Sequence, residues 1–196
     1  MRKAEKRGRL AKFDGLGYYE RYKGSFLSRL RRKLIGIRYV FYIKKFCKNG
    51  KLLDVGCATG DFCEVAGKCG YETVGIDVSP YMIKEAVGKG VKAFLMSVEE
   101  MRFKKNCFDV VTMFSVLQYV KNPIDTLMVT REVLKPRGVL FVHVPSDYFN
   151  SDTLAAMLKK TGFEVVFWRN NILPLGKFVE CISRNNKRKP KSEDEI

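Results

Sequence analysis

Two carboxylates on either side of a glycine-bearing turn are the first residues in this sequence whose spacing suggests chemistry. The stretch Leu52-Leu-Asp-Val-Gly-Cys-Ala-Thr-Gly-Asp-Phe62 starts as a short apolar run, carries Asp54, and breaks into a turn between Gly56 and Gly60. It reads as a buried strand, a tight turn and a helix N-terminus. Glycine suits the turn because the backbone must bend sharply and let a ligand approach without a β-carbon in the way. Asp54 puts a negative charge at the strand end, where a cationic ligand group could sit. A second apolar strand, Val74-Gly-Ile-Asp-Val-Ser-Pro80, ends on Asp77, 21 residues after Gly56. An acid at that point of a βαβ unit is placed to hold ribose hydroxyls.

These two strands alone leave a nicotinamide dinucleotide and other adenosine cofactors open. A dinucleotide site needs a third glycine for helix packing and a second mononucleotide half. The turn here reads Gly56-Cys-Ala-Thr-Gly60, and 196 residues are few for two such halves. Downstream follow Phe108-Asp-Val-Val-Thr-Met-Phe-Ser-Val-Leu-Gln-Tyr-Val120 and Leu134-Lys-Pro-Arg-Gly-Val-Leu-Phe-Val142. The ordered set, from Leu52 to about Ile182, resembles the class I S-adenosylmethionine (SAM)-dependent methyltransferases.

The resemblance implies an α/β fold: a Rossmann-like, seven-stranded, mostly parallel sheet with helices on both faces and the last strand antiparallel. It implies S-adenosyl-L-methionine as cofactor, with Asp54, Gly56 and Gly60 along its methionine part and Asp77 on its ribose. Cys57, Val78, Ser97, Val98 and Phe114 complete the cofactor-binding set carried over from the family. Ala58 stands where the family often has glycine, and Ser97 where many relatives have an acid near the adenine. Arg38, in Gly36-Ile-Arg-Tyr-Val-Phe-Tyr-Ile43, resembles the arginine that meets the SAM carboxylate in ubiquinone-pathway O-methyltransferases. A guanidinium suits that task because it forms a fork with a carboxylate. In so basic a segment, a solvent-facing arginine is the equal alternative.

In methyl transfer from a sulfonium the cofactor supplies the reactive group, so few catalytic side chains are expected. His143, the only histidine, lies near the C-terminal end of the fifth strand, the edge where such sheets bind ligands. It is a candidate base for a hydroxyl acceptor; the alternative is a packed structural histidine. Gln118-Tyr119 replaces the Glu-His common in the family after the fourth strand, and Tyr119 is a candidate acceptor-pocket residue or a core aromatic. No Asn/Asp-Pro-Pro-Tyr follows the fourth strand, and no Pro-Cys or Thr-Cys pair occurs. Amino methylation of a nucleobase and carbon-5 methylation of cytosine thus lack their signatures. The expected activity is methylation, O-directed, of a small or lipid-linked acceptor. The alternatives are an RNA methyltransferase and a non-catalytic SAM-binding regulatory module.

The length fits one domain with a substantial core. Six cysteines form no Cys-x-x-Cys pair, so no metal site is expected and reduced thiols are the reading. The N-terminus lacks an apolar signal core, and no apolar run approaches a spanning helix. A cytoplasmic location is expected, with attachment to a membrane surface left open. The net charge is +16, and residues 1–50 hold sixteen Lys/Arg against three acids. That concentration suggests RNA or an anionic membrane as partner, or simply a solvated basic face.

Three segments follow: a basic helical segment over 1–50, the SAM-binding domain over 51–184 and a charged tail over 185–196. Within the first, Leu27, Leu30, Leu34, Ile37 and Phe41 recur at helical spacing among Arg29, Arg31, Arg32 and Lys33. The stripe is expected to pack on the domain, with a lipid surface as the alternative. Strands are expected at 52–56, 72–77, 91–96, 108–114, 139–144, 163–168 and 178–183, with helices between them.

Overall fold

The computed structural model describes residues 24–173 and 176–187, with Glu20 and Tyr22. The expectations for residues 1–19 and 188–196 lie outside the described residues.

Among the described residues, five helices and seven strands follow one another along the chain. Helix α1 (Phe26–Lys44) precedes β1 (Gly50–Val55), α2 (Asp61–Lys68), β2 (Tyr71–Asp77), α3 (Pro80–Gly88) and β3 (Ala93–Leu95). Then come β4 (Phe108–Phe114), α4 (Pro123–Val133), β5 (Leu134–Pro145), α5 (Ser151–Lys160), β6 (Phe163–Leu173) and β7 (Gly176–Asn185). The sequence gives the helix starts a local cause. Side chains of Ser25, Ser79, Asn122 and Asn150 accept hydrogen bonds from first-turn N–H groups, and Pro80 and Pro123 sit where no N–H is needed.

The strands form one sheet in the order β3-β2-β1-β4-β5-β7-β6. Every pair is parallel except those made by β7, which runs antiparallel to β5 and to β6. This is the Rossmann-like sheet expected, with its antiparallel last strand. Strand β5 begins directly at the end of α4, five residues before the expected start. Leu134 pairs with Phe108 and Val139 with Val110, and the expected Pro136-Arg-Gly138 turn survives between them as an irregularity with Arg137 at φ +62°. Strand β3 is shorter than expected, and β6 and β7 are longer.

Alternation along the strands divides the core. Leu52, Val110, Phe141 and Ile182 face α1 and α2, where Tyr39, Val40, Ile43, Val65 and Ala66 cover them. Leu53, Val111, Met113, Leu140 and Val142 face the other side with Leu127, Leu154 and Leu158. Residues 26–44, grouped by sequence with the basic N-terminal segment, thus supply one wall of the domain core. The face that α1 buries is the reverse of the expected one. Gly36, Tyr39, Val40 and Ile43 are buried, while Leu27, Leu30, Leu34, Ile37 and Phe41 point to solvent. The cause is electrostatic as well as steric: Arg29, Arg32 and Lys33 pair with Glu85, Asp61 and Glu64 on α2 and α3, drawing the cationic side inward. No described helix is long and apolar enough to cross a membrane.

Candidate active site

The turn after β1 is tied to β2 by its backbone. The N–H groups of Gly56 and Cys57 donate to the Ile76 carbonyl at 2.8 and 2.9 Å. Gly56 adopts φ +70°, and a β-carbon there would lie 2.4 Å from Cγ2 of Val116. Gly60, at φ +74°, serves differently: it starts α2, and a β-carbon would press on Ala86 and Val91 at 3.1 Å. Ala58 adopts φ +47°, a conformation that costs any residue with a β-carbon. Cys57 is buried, and its sulfur would stand 2.6 Å from a β-carbon at residue 75, which explains Gly75 within β2.

The two carboxylates have different surroundings. Asp54 is buried; its Oδ1 accepts from Thr112 Oγ1 at 2.6 Å, and Cys63 Sγ donates to Oδ2 at 3.8 Å. Burial pushes its pKa up to about 7 against the pull of the Thr112 hydrogen bond, and the nearby Asp77 adds to the rise. Asp77 is half-buried; its Oδ2 accepts from the Ala58 N–H and its Oδ1 from the Ser79 N–H, each at 2.9 Å. Burial raises its pKa as well, opposed by those backbone donors. Asp77 therefore braces the glycine turn and the cap of α3 together.

Ser97 accepts from the Glu100 N–H at 3.2 Å, and Val98 beside it is buried, whereas Val78 is exposed. Phe114, at the end of β4, packs against Phe62, Tyr39 and Phe141 with ring centroids 4.6, 4.9 and 5.3 Å apart.

A second polar group lies along the same face, in the row Phe114–His143–Glu180–Arg169 on four neighbouring strands. His143 stacks on Phe178 at 4.5 Å, and its Nδ1 lies 3.5 Å from Ser115 Oγ. Burial lowers its pKa to about 4, with Arg38 adding to the fall, so it is neutral at physiological pH. Its Nε2 is buried and has no hydrogen-bond partner. Glu180 is 0% exposed; Tyr39 Oη donates to its Oε1 at 3.1 Å, and its Oε2 has no partner. Arg38 stands beside it, 3.6 Å from Oε1 and 5.8 and 5.7 Å from the ring centres of Tyr39 and Tyr42. The sequence offered a SAM carboxylate or solvent for Arg38; the structure gives it a carboxylate of the protein. Tyr119 is exposed, with its ring 6.4 Å from Tyr148, and so is not the core aromatic of the alternative reading. Gln118 is buried with both amide atoms unpartnered.

The sequence thus brings together Asp54, Gly56, Cys57 and Asp77 at one turn, and His143, Arg38 and Phe114 along one row. Thr112, Tyr39 and Glu180 escaped it. The signal for Thr112 and Glu180 is a lone polar residue inside an apolar strand, where burial demands a partner. Asp61 at the start of α2 also escaped: burial alone would raise its pKa, but hydrogen bonds from Lys89 (2.8 Å) and Arg32 (2.7 Å) hold it low. Among the described residues, no three His, Cys, Asp or Glu side chains are grouped to hold a metal ion.

Comparison with known proteins gives this geometry its context. Residues 24–148 match the model of a family described as a methyltransferase domain. The ubiquinone biosynthesis O-methyltransferase of Haemophilus ducreyi is 30% identical over 137 residues, which cover 64% of this chain and 55% of that protein. Its namesake in Xanthomonas campestris is 29% identical over 101 residues, 48% of this chain and 42% of that one. The chain spans about half the length of the curated relatives it matches. Among solved structures, magnesium protoporphyrin IX methyltransferase from Synechocystis, with bound SAM, aligns at a TM-score of 0.73 and 16% identity, covering 93% of this chain and 96% of that one. The 1,6-didemethyltoxoflavin-N1-methyltransferase of Burkholderia thailandensis, with S-adenosylhomocysteine, aligns at 0.73 and 17%, covering 93% and 90%. With its sheet order, its glycine turn and the match over 24–148, the chain belongs to the methyltransferase-domain family, whose cofactor is S-adenosyl-L-methionine.

Proposed function

We propose that the chain transfers a methyl group from SAM to an oxygen of a small or lipid-linked acceptor. The observation that carries the reading is the pair of strand-end carboxylates, Asp54 and Asp77, on adjacent parallel strands around a turn that tolerates no side chain at residue 56. The donor set fits the cofactor. Each oxygen of Asp77 spends one lone pair on a backbone N–H and keeps another for a ribose hydroxyl. Asp54 is held partly protonated near neutral pH, and an ammonium placed beside it would favour the ionised form. When bound, SAM supplies an electrophilic methyl on sulfur; the chain's part is to hold donor and acceptor in line and exclude water.

Unmet hydrogen-bonding capacity on His143, Glu180 and Arg38 supports an acceptor site along the sheet row beside the turn. A pKa of about 4 makes His143 a weak base but a competent acceptor of a hydrogen bond from a hydroxyl. Its role in this reading is orientation of the acceptor oxygen. The similarity to ubiquinone biosynthesis O-methyltransferases supports oxygen as the atom methylated.

Titration calorimetry with SAM, followed by transfer of labelled methyl to phenols with and without a polyprenyl tail, to aryl amines and to RNA, tests the proposal. SAM should bind, and label should appear on the phenols. No SAM binding, or label on amine or RNA alone, would overturn it.

A further inference from the structure

Helix α1 carries a second surface that the methyl-transfer reading leaves unused. Its outward face presents Phe26 (78% exposed), Leu27 (73%), Leu30 (44%), Leu34 (59%), Ile37 (49%) and Phe41 (71%) in one continuous stripe. Six large apolar side chains in a row on one helix are too many for scattered surface residues. The helix also contains Arg29, Arg31, Arg32, Lys33, Arg38 and Lys44 and no acid. Of these, Arg31 is exposed, and Lys45 and Lys48 continue the exposed positive charge past the helix end.

We infer that this face lies on a membrane surface bearing anionic headgroups, the stripe entering the acyl boundary and the flanking cations meeting the headgroups. Charge decides the occupant. Written as heptads, Leu27, Leu30, Leu34, Ile37 and Phe41 take a and d positions, so a second copy of the helix is the obvious rival. The exposed charges around that seam are Arg31, with Lys45 and Lys48 just past the helix end, and the helix holds no acid, so two copies would set like charges against each other. An anionic bilayer satisfies both the apolar stripe and the cations.

The buried side of the same helix supplies Tyr39 and Arg38 to the His143–Glu180 row. A docked α1 therefore holds that row one helix diameter from the lipid, which suits an acceptor with a lipid tail. The docking inference stands on α1 alone; only this last link rests on the proposed activity.

Co-sedimentation of the full chain with phosphatidylglycerol-containing vesicles, and with phosphatidylcholine vesicles alone, tests the inference across a salt series. The chain should bind the anionic vesicles preferentially, and Leu34→Ser with Phe41→Ser should lower the partition at least tenfold. Salt should weaken binding without abolishing it, because the apolar part is not screened. Both positions are exposed, so the double variant should melt like the parent. Should it not, Phe26→Ser with Leu27→Ser reads the same face at the first turn. No binding to anionic vesicles at low salt would overturn the inference. So would binding that neither pair of substitutions reduces, or a dimer by light scattering that the substitutions split. SAM affinity, measured on the same proteins, reports separately on the cofactor site: vesicle binding without SAM binding would leave this inference standing and remove the proposed activity.

Discussion

Asp54 gives the sharpest test of the site, because a buried carboxylate at the centre of a binding turn must cost stability. Its pKa rises from 3.8 to about 7 on folding. The folded state therefore binds the extra proton, so its stabilising effect is full below about pH 4 and lost as the pH rises through about 7. At about 1.36 kcal/mol per pH unit of difference, the loss is ~4 kcal/mol. Asp54→Asn removes the titration and keeps an oxygen that can accept from Thr112. His143 works in the opposite direction. Its pKa falls from 6.5 to about 4, so the stability it lends is present above 6.5 and lost as the pH falls through 4. The wild-type profile also carries the shifts of Asp77 and Asp61, but both proteins keep these groups and His143, so the difference between them reports Asp54. Urea unfolding of both proteins without cofactor, from pH 4 to 8.5, should show the variant gaining on the wild type by about 4 kcal/mol, nearly all of it below pH 7.5. With SAM in excess the order should reverse at pH 8, because only Asp54 can meet the cofactor's ammonium with a charge. A flat difference across the range would show that Asp54 ionises without penalty, and the burial argument would be wrong.

Asp77→Ala should weaken SAM binding more than tenfold by calorimetry. It should also lower stability by ~2 kcal/mol, since the N–H groups of Ala58 and Ser79 lose their carboxylate; unchanged affinity would remove Asp77 from the site. Arg38→Met should destabilise the chain by ~3 kcal/mol by taking from buried Glu180 the guanidinium 3.6 Å from its Oε1, and Glu180→Gln in the same chain should recover much of it. A melting temperature equal to the wild type would show that the pair is not coupled. His143, the only histidine, should show no imidazole titration by NMR between pH 5.5 and 8. A midpoint near 6.5 would mean that water reaches the ring and restore it as a candidate base.

Local chemistry made much of the fold legible. Apolar runs ending in Asp54 and Asp77 marked β1 and β2, and Pro80 and Pro123 are local signals for the starts of α3 and α4, where no N–H is needed. The orientation of α1 was not legible, because periodicity shows that a helix has two faces without saying which one the domain takes. Here Asp61, Glu64 and Glu85, 29 to 56 residues away in sequence from their partners, settle it by claiming the cations. The protein partner of Arg38 was not legible for a related reason. Its partner, Glu180, becomes a neighbour only once β7 lies against β5, and nothing near residue 38 announces it. The strand containing His143 was legible; its low proton affinity was not, because that depends on Phe178 and Tyr39 covering the ring.

The placement of β7 between β5 and β6 sets an order of assembly. Strand β6 touches the sheet only through β7, so it has no hydrogen-bonded neighbour until residues 176–185 are in place. Until then the outer edge of β5, from Val139 to Pro145, is an open row of backbone donors and acceptors, of the kind that recruits other chains. The glycine turn and both strand-end carboxylates need only β1, β2 and β4 and can form as the chain emerges from the ribosome. The row through Phe114, His143 and Arg169 waits for Glu180, which must find Tyr39 across 141 residues of sequence. A nascent chain stalled before β7 would thus carry a nearly complete nucleoside half and an aggregation-prone edge, and chaperone demand should concentrate in that interval of synthesis.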